Sequence, residues 1–366
     1  MTTRRVSVLL PLEPGWQLLL RRYLDEIGPD DDATLVLVDA PIPAVEALLS
    51  GRDATPDILC VDGARVPRTQ HVLCDGERPR AVVDALLALP RVSVVIPCYN
   101  QAKYLPEAVA SVVGQTFRSF EIVVVDDGSP DDAVLVTRRL QRLHRDASIR
   151  LVSKQNGGLS SARNAGVAFA KGELILPLDA DDSIQPSFLE HCIAALDAHP
   201  QFSIAYGGQQ NFGADRTFHP HHPYDFRLQT LMNTIGVASV FRRAAWEDVG
   251  GYSESLDSYE DWDFWIGCGE RGHHAVHVPS AVFNYRVRPG SMYAQALERD
   301  RQLKARIIRR HPFLYTPEQR RWSQLILAGD AAALALPNAI CKMPVFSGRP
   351  GELGELAQAG GVAGMR

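Results

Sequence analysis

The stretch that most constrains this chain is Leu174-Ile-Leu-Pro-Leu-Asp179-Ala-Asp181-Asp182, a short apolar run that stops in three carboxylates. A run of this length reads as a buried strand, and open α/β sheets bind their ligands at the carboxyl ends of such strands. Asp179 and Asp181 are therefore candidates for a site. Two residues apart on a strand they share a face, where two acids repel unless a cation, an arginine or a ligand donor compensates them. A hard divalent ion such as Mg²⁺ or Mn²⁺ would do so, since it takes oxygen ligands and completes its shell with substrate phosphates. The competing reading is local: Asp182 or Ser183 caps the next helix, Pro186 lies near its first turn, and the other acids are solvated. The tripeptide alone leaves both open.

A chain of 366 residues with 46% apolar content can build two domains, or one large α/β domain with appendages. Its formal net charge is −5 and it has no long basic run, which argues against nucleic acid as a partner. The six cysteines (Cys60, Cys74, Cys98, Cys192, Cys268 and Cys341) form no CxxC pair and no metal-type spacing, so reduced thiols in a cytosolic protein are the simplest account. The opening MTTRRVSVLLPLEPG is too short in its apolar part for a signal peptide, and no window predicts a membrane span. The nearest, Ser323 to Phe346, is interrupted by Asp330 and Pro337.

Within residues 1–90, two apolar runs end in an acid, Thr34-LVLV-Asp39 and Asp57-ILCV-Asp62, with a helical pattern over Trp16 to Ile27. Arg5-VSVLLP-Leu12 to Asp39 parallels Arg91-VSVVIP-Cys98 to Asp126: strand, proline, helix, strand, Asp. The first copy lacks the acid pair of the second. Two readings stand, a degenerate repeat that serves packing, dimerisation or acceptor docking, and an unrelated βαβ segment. From Arg91 onward, Val92-SVVI-Pro97 is a strand, and Tyr104, Leu105, Ala108, Val109, Val112 and Val113 repeat at helical spacing. Phe120-EIVVV-Asp126 is the next strand, broken by Asp127-Gly-Ser-Pro130, and a helix follows over Asp132 to His144. In Asn156-Gly157-Gly158-Leu-Ser-Ser-Ala-Arg163-Asn164, paired glycines before a helix start let backbone approach a ligand and aim free N–H groups at an anion. Strands alternating with helices predict a mainly parallel sheet.

VSVVIPCYNQ, EIVVVDDGSPDD, NGGLSSARNAG and LPLDADD, in this order, resemble the nucleotide-sugar-binding half of family 2 glycosyltransferases. The similarity continues through Phe241-RRAAWEDVGGYSE, Tyr259-EDWDFW and Tyr285-RVRPGSM and spans residues 91–293. It implies an α/β fold of the GT-A type, Rossmann-like with a mainly parallel sheet, carrying a small N-terminal α/β unit (1–90), a C-terminal helical region (294–346) and a disordered tail (347–366). It also implies an inverting transferase of hexosyl or N-acetylhexosaminyl type that moves a sugar from a nucleoside diphosphate sugar to a glycan, lipid-linked glycan or glycoconjugate hydroxyl, as in polysaccharide biosynthesis.

The same resemblance distributes roles. Pro97, Tyr99 and Asp127 correspond to the nucleobase pocket; a carboxylate accepting from an imide N–H favours uracil over cytosine, hence a UDP-sugar. Asn156, Gly157, Gly158, Arg163, Asp179 and Ala180 belong to the nucleotide-sugar site, with Asp179 toward the ribose and Asp181 as ligand to Mn²⁺ or Mg²⁺. Asp261 corresponds to the general base for the acceptor hydroxyl, and Glu260 and Trp262 to acceptor-orienting residues. Read from the residues alone, Asp126 and Asp127 are turn formers, Glu260 and Asp261 are first-turn acids, and Trp262 and Trp265 are core aromatics. Where many relatives carry a metal-binding histidine in a YRxH segment, this chain has Arg288, which cannot ligate a cation but can clamp phosphate. The histidines at 219, 221, 222, 273, 274 and 277 read as surface or structural. Beside the transferase stands a second class, a catalytically silent binding protein on the same fold. Thr316-Pro-Glu-Gln319 reads as a capped helix start, and Arg309, Arg310, Arg320 and Arg321 as a solvated face or a peripheral contact with an anionic membrane at the cytoplasmic side. The oligomeric state is not legible.

Overall fold

The computed structural model describes residues 35–37, 57–59, 90–331 and 333. The chain divides into two compact units, residues 1–92 with 171–173, and residues 93–170 with 174–366. In the first, β1 (Leu35–Leu37) and β2 (Asp57–Leu59) lie in the two apolar runs noted above and pair in parallel, Leu35 opposite Asp57. The helix expected over Trp16 to Ile27 and the tail from Ser347 lie outside the described residues.

The second unit is built on a nine-stranded sheet. Strand β3 (Val92–Cys98) is buried at every position, as a continuous apolar run in a covered sheet should be. Helix α1 (Leu105–Val113) packs the face made by Leu105, Ala108, Val109 and Val112, an i, i+3, i+4, i+7 stripe. Next come β4 (Phe120–Asp126), α2 (Ala133–Leu143), β5 (Ser148–Ser153), α3 (Leu159–Phe169) and β6 (Leu174–Pro177). Gly166 lets α3 lie against the sheet, because a Cβ there would come within 2.3 Å of Val95 Cγ1. Then follow β7 (Ser183–Ile184), α4 (Phe188–Ala198), β8 (Phe202–Gly213), β9 (Phe218–His219), α5 (Phe226–Leu231), β10 (Val240–Arg242) and α6 (Arg243–Val249). Helix α7 (Glu260–Glu270) and the long strand β11 (His274–Val287) complete this part.

The strand order is β5-β4-β3-β6-β10-β8-β11-β7, with β9 paired to β8. The sheet is mixed, where the alternation of strands and helices suggested a mainly parallel one. Pairs β4/β5 and β8/β11 are parallel, but β10 runs antiparallel to both β6 and β8, and β7 antiparallel to β11. The connection after β9 carries only the six-residue helix α5 and brings the three-residue β10 between β6 and β8 in the opposite direction. The architecture is otherwise the Rossmann-like GT-A arrangement, with the carboxyl ends of β3, β4 and β6 presenting the motifs.

Four helical elements follow: α8 (Met292–Glu298), α9 (Asp300–Arg310), a 3₁₀ turn (Pro312–Leu314) and α10 (Pro317–Ala328). Pro312 follows the end of α9, and Thr316 and Gln319 form a reciprocal capping box at the start of α10. Among the described residues no helix is long and apolar enough to cross a membrane, and Cys98, Cys192 and Cys268 are buried free thiols.

Candidate active site

At the end of β3, Pro97 is buried while Tyr99 is 51% exposed, and Asn100 turns the chain with φ 55°. This turn is tied to the loop after β4: Asp127 N donates to Cys98 O at 3.0 Å and Asn100 N to Ser129 Oγ at 2.7 Å. Asp127, 2% exposed, accepts from Gly157 N at 3.0 Å, Gly158 N at 2.9 Å and Lys154 Nζ at 2.7 Å. The N–H groups of Gly157 and Gly158, expected to face a ligand anion, are thus bound to the protein's own carboxylate at the N-terminus of α3. That is the favourable end of the helix dipole for an acid, so the geometry corrects the phosphate-cradle reading of this loop. Asn156 is exposed beside it.

Arg163, on α3 and 1% exposed, joins the two halves of the candidate site. Its Nη2 donates to Asp179 Oδ1 at 2.7 Å and its Nη1 to Glu260 Oε1, with the Tyr252 ring 5.5 Å from the guanidinium. Burial works against its charge, but Asp179 and Glu260 outweigh burial and hold its pKa above the ordinary arginine value. Expected at the nucleotide-sugar site, the guanidinium is held by two carboxylates of the protein itself.

Asp261 sits one residue into α7, whose N-cap Tyr259 is left-handed at φ 61°. Its Oδ2 accepts from Asn233 Nδ2 at 2.9 Å. Burial, reinforced by the neighbouring Glu260, pushes the Asp261 carboxyl up to about 6, against the lowering influence of Arg163 and Asn233. That range suits a group that takes a proton near neutral pH. Asn233 lies in a stretch that carried no readable motif, and a lone polar residue in a loop offers no signal by which it could have been found. Trp262 is 2% exposed, and its Nε1 donates to Gln229 O at 2.6 Å. It packs with Leu256, Ile266 and Ile308, so the acceptor-orienting role expected of it is corrected to a core role: no indole face is left for a sugar.

At the end of β6, Ala180 is buried and the three acids diverge. Asp181 Oδ2 accepts from Arg288 Nε at 2.9 Å, and Asp182 Oδ1 accepts from the Arg286 backbone N at 2.8 Å. Burial raises the Asp181 pKa, and Asp179 adds to this while Arg288 lowers it. Asp182, 2% exposed, has its pKa raised well above the ordinary carboxyl value by burial and by both neighbouring acids, and its Oδ2 has no hydrogen-bond partner among the described residues.

Residues 93–250 match the sequence profile of Glycosyl transferase family 2. A chondroitin synthase of Pasteurella multocida (strain Pm70) is 32% identical over 201 residues, covering 54% of this chain and 20% of that synthase. An uncharacterized glycosyltransferase of Rickettsia prowazekii (strain Madrid E) is 32% identical over 48% of this chain and 58% of its own length. The chain therefore spans only a part of these relatives. Among solved structures, S. aureus TarS 1–349 in complex with UDP-GlcNAc superposes with TM-score 0.52 at 22% identity, over 74% of this chain and 79% of the other. The mannosyltransferase PcManGT from Pyrobaculum calidifontis, in complex with GDP-Man and Mn²⁺, gives the same values. The family match covers residues 93–250, less than half of the chain, and the likeness to these solved structures shows a shared GT-A fold.

The Mn²⁺ or Mg²⁺ expected at Asp181 does not fit the side chains as they stand. A divalent ion on that carboxylate would lie about 5 Å from the Arg288 charge, a repulsion of about 7 kcal/mol at an effective dielectric near 20. Solvent at the partly exposed Arg288 reduces this to a few kcal/mol, still enough to exclude one by the other. Asp179 is committed to Arg163 and Asp182 Oδ1 to the Arg286 backbone N, so neither carboxylate stands free to share an ion with Asp181.

Proposed function

We propose that this chain is an inverting glycosyltransferase that moves a sugar from a nucleoside diphosphate sugar to an acceptor hydroxyl. The observation that carries the reading is the double ion pair of Arg163, which joins Asp179 at the end of β6 to Glu260 at the start of α7. A donor held along the strand ends then has its anomeric carbon near Asp261. Asp261 takes the acceptor O–H proton as that oxygen forms a bond to the anomeric carbon. The bond from that carbon to the diphosphate oxygen breaks on the opposite side, and its electron pair leaves with the nucleoside diphosphate, which gives inversion.

The half-exposed Tyr99 ring offers a stacking surface for a base. Asp127 accepts from three protein donors, Lys154 Nζ, Gly157 N and Gly158 N, which leaves one of its roughly four acceptor positions for an imide N–H. A UDP-sugar is the donor this favours, with a hexosyl or N-acetylhexosaminyl group transferred. The acceptor is a glycan or a lipid-linked glycan. The chain would work in the cytoplasm, or peripherally at the inner face of the membrane where the acceptor is lipid-linked. A panel of UDP- and GDP-sugars incubated with oligosaccharide acceptors, scored for diphosphate release and for the anomeric configuration of the product by NMR, tests this. Acceptor-dependent release with inversion is expected. No acceptor-dependent release from any donor, or retention in the product, refutes it.

A further inference from the structure

We propose that Arg288 is the built-in cation for the donor diphosphate, so that this chain binds its nucleotide without a divalent ion. The inference rests on the transferase reading above and names how one part of its site works.

Two arginines lie at and just beyond the end of β11, and they are held differently. Arg286 is locked: its backbone N donates to Asp182, its Nε to Asp181 O at 2.8 Å, and its Nη2 to Glu107. Its guanidinium also lies over the Phe212 ring at 4.3 Å and the Tyr104 ring at 4.8 Å. Arg288 makes a single hydrogen bond among the described residues, from Nε to Asp181 Oδ2 at 2.9 Å, and its side chain is 34% exposed. Fixing a guanidinium through Nε aims its two terminal nitrogens away from the anchor as a planar fork. Such a fork matches two phosphate oxygens, and the Asp181 anchor sets its direction before a ligand arrives.

Asp181 then has a different task from the one its motif suggests. Its carboxylate holds Arg288 through Nε, so that the acid orients the arginine. When the sugar leaves, negative charge builds on the β-phosphate oxygen that had been bonded to the anomeric carbon. A cation already in place there stabilises that charge with no reorganisation.

Titration calorimetry of UDP and of GDP into the full chain, once in EDTA and once in millimolar Mn²⁺, tests the proposal, together with Mn²⁺ electron paramagnetic resonance on the protein alone. One of the two nucleotides is expected to bind equally well in both buffers, and the free Mn²⁺ signal to be undiminished by the protein. Arg288→Gln should weaken nucleoside diphosphate binding about 10- to 100-fold in either buffer and leave binding of the parent nucleoside unchanged. Asp181→Asn separates the two chemistries: with Arg288 as the cation, the amide oxygen still accepts from Nε and diphosphate binding in EDTA falls by less than in Arg288→Gln, whereas with a metal Mn²⁺-dependent binding is abolished. Binding that appears only with Mn²⁺, or that Arg288→Gln does not weaken, overturns the role of Arg288 and leaves the transferase reading standing. Absence of nucleoside diphosphate binding in both buffers overturns the transferase reading itself, and the role of Arg288 with it.

Discussion

Replacing Arg163 by methionine removes a cation shared by Asp179 and Glu260 while keeping much of the side-chain volume. Arg163 is 1% exposed, and the Glu260 and Asp179 side chains are 7% and 25% exposed. Breaking a buried pair by deleting one partner costs roughly 3–5 kcal/mol, because the remaining charge is left without compensation. The better-solvated Asp179 takes the cost toward the low end, and Glu260 keeps it from vanishing. In a domain of this size each kcal/mol lowers Tm by about 2–4 °C, so the variant should melt roughly 6–15 °C below the parent in a calorimetric or circular dichroism scan. Arg163→Lys should fall between them, since an ammonium keeps the charge but cannot fork to both acids at once. A methionine variant within about 2 °C of the parent would refute the claim that this guanidinium ties β6 to α7.

Because Asp261 must be ionised to accept a proton and its pKa lies at about 6, kcat/KM should fall as pH drops through that value and level off above it. Asn233→Ala removes a donor that favours the ionised form, so the limb should move to higher pH; an unmoved limb in a pH–rate profile counts against the Asn233 contact. His311 has its pKa raised above 6.5 by Asp263 and Glu270 against the opposing effect of burial. Its stabilising charge is therefore fully present below 6.5 and lost as pH rises through the raised value. His311→Gln should lower Tm more at about pH 5.5 than at about pH 8.5, and an equal loss at both would exclude the ionised pair. Thr316→Ala should cost about 1 kcal/mol through the lost cap of α10, measured by urea denaturation.

What could be read ahead of the structure was what periodicity and local chemistry encode. The run before Cys98 is a buried strand, the helix read over Asp132 to His144 spans Ala133–Leu143, and the cap at Thr316 is where its residue pattern put it. The GT-A fold followed from ordered motifs. Pairings between distant polar groups were not legible, because nothing local marks them: Arg163 reaches 97 residues on to Glu260, and Arg288 reaches 107 residues back to Asp181. Asp127 was read as facing a ligand, and nothing local marked that it also holds the amides of its own next helix. The reversed strand β10 was hidden for a related reason, since three residues after an irregular connection carry no sign of direction. Trp262 shows the converse: its spacing with Trp265 was the helical core signal, and the burial of both follows it.

The central claim is that Asp261 takes the acceptor proton, and Asp261→Asn tests it most directly, with transfer measured at saturating donor and acceptor alongside nucleotide affinity. A loss of about 10²- to 10⁴-fold in kcat with unchanged donor binding is the predicted result. Transfer at the parent rate would contradict the account.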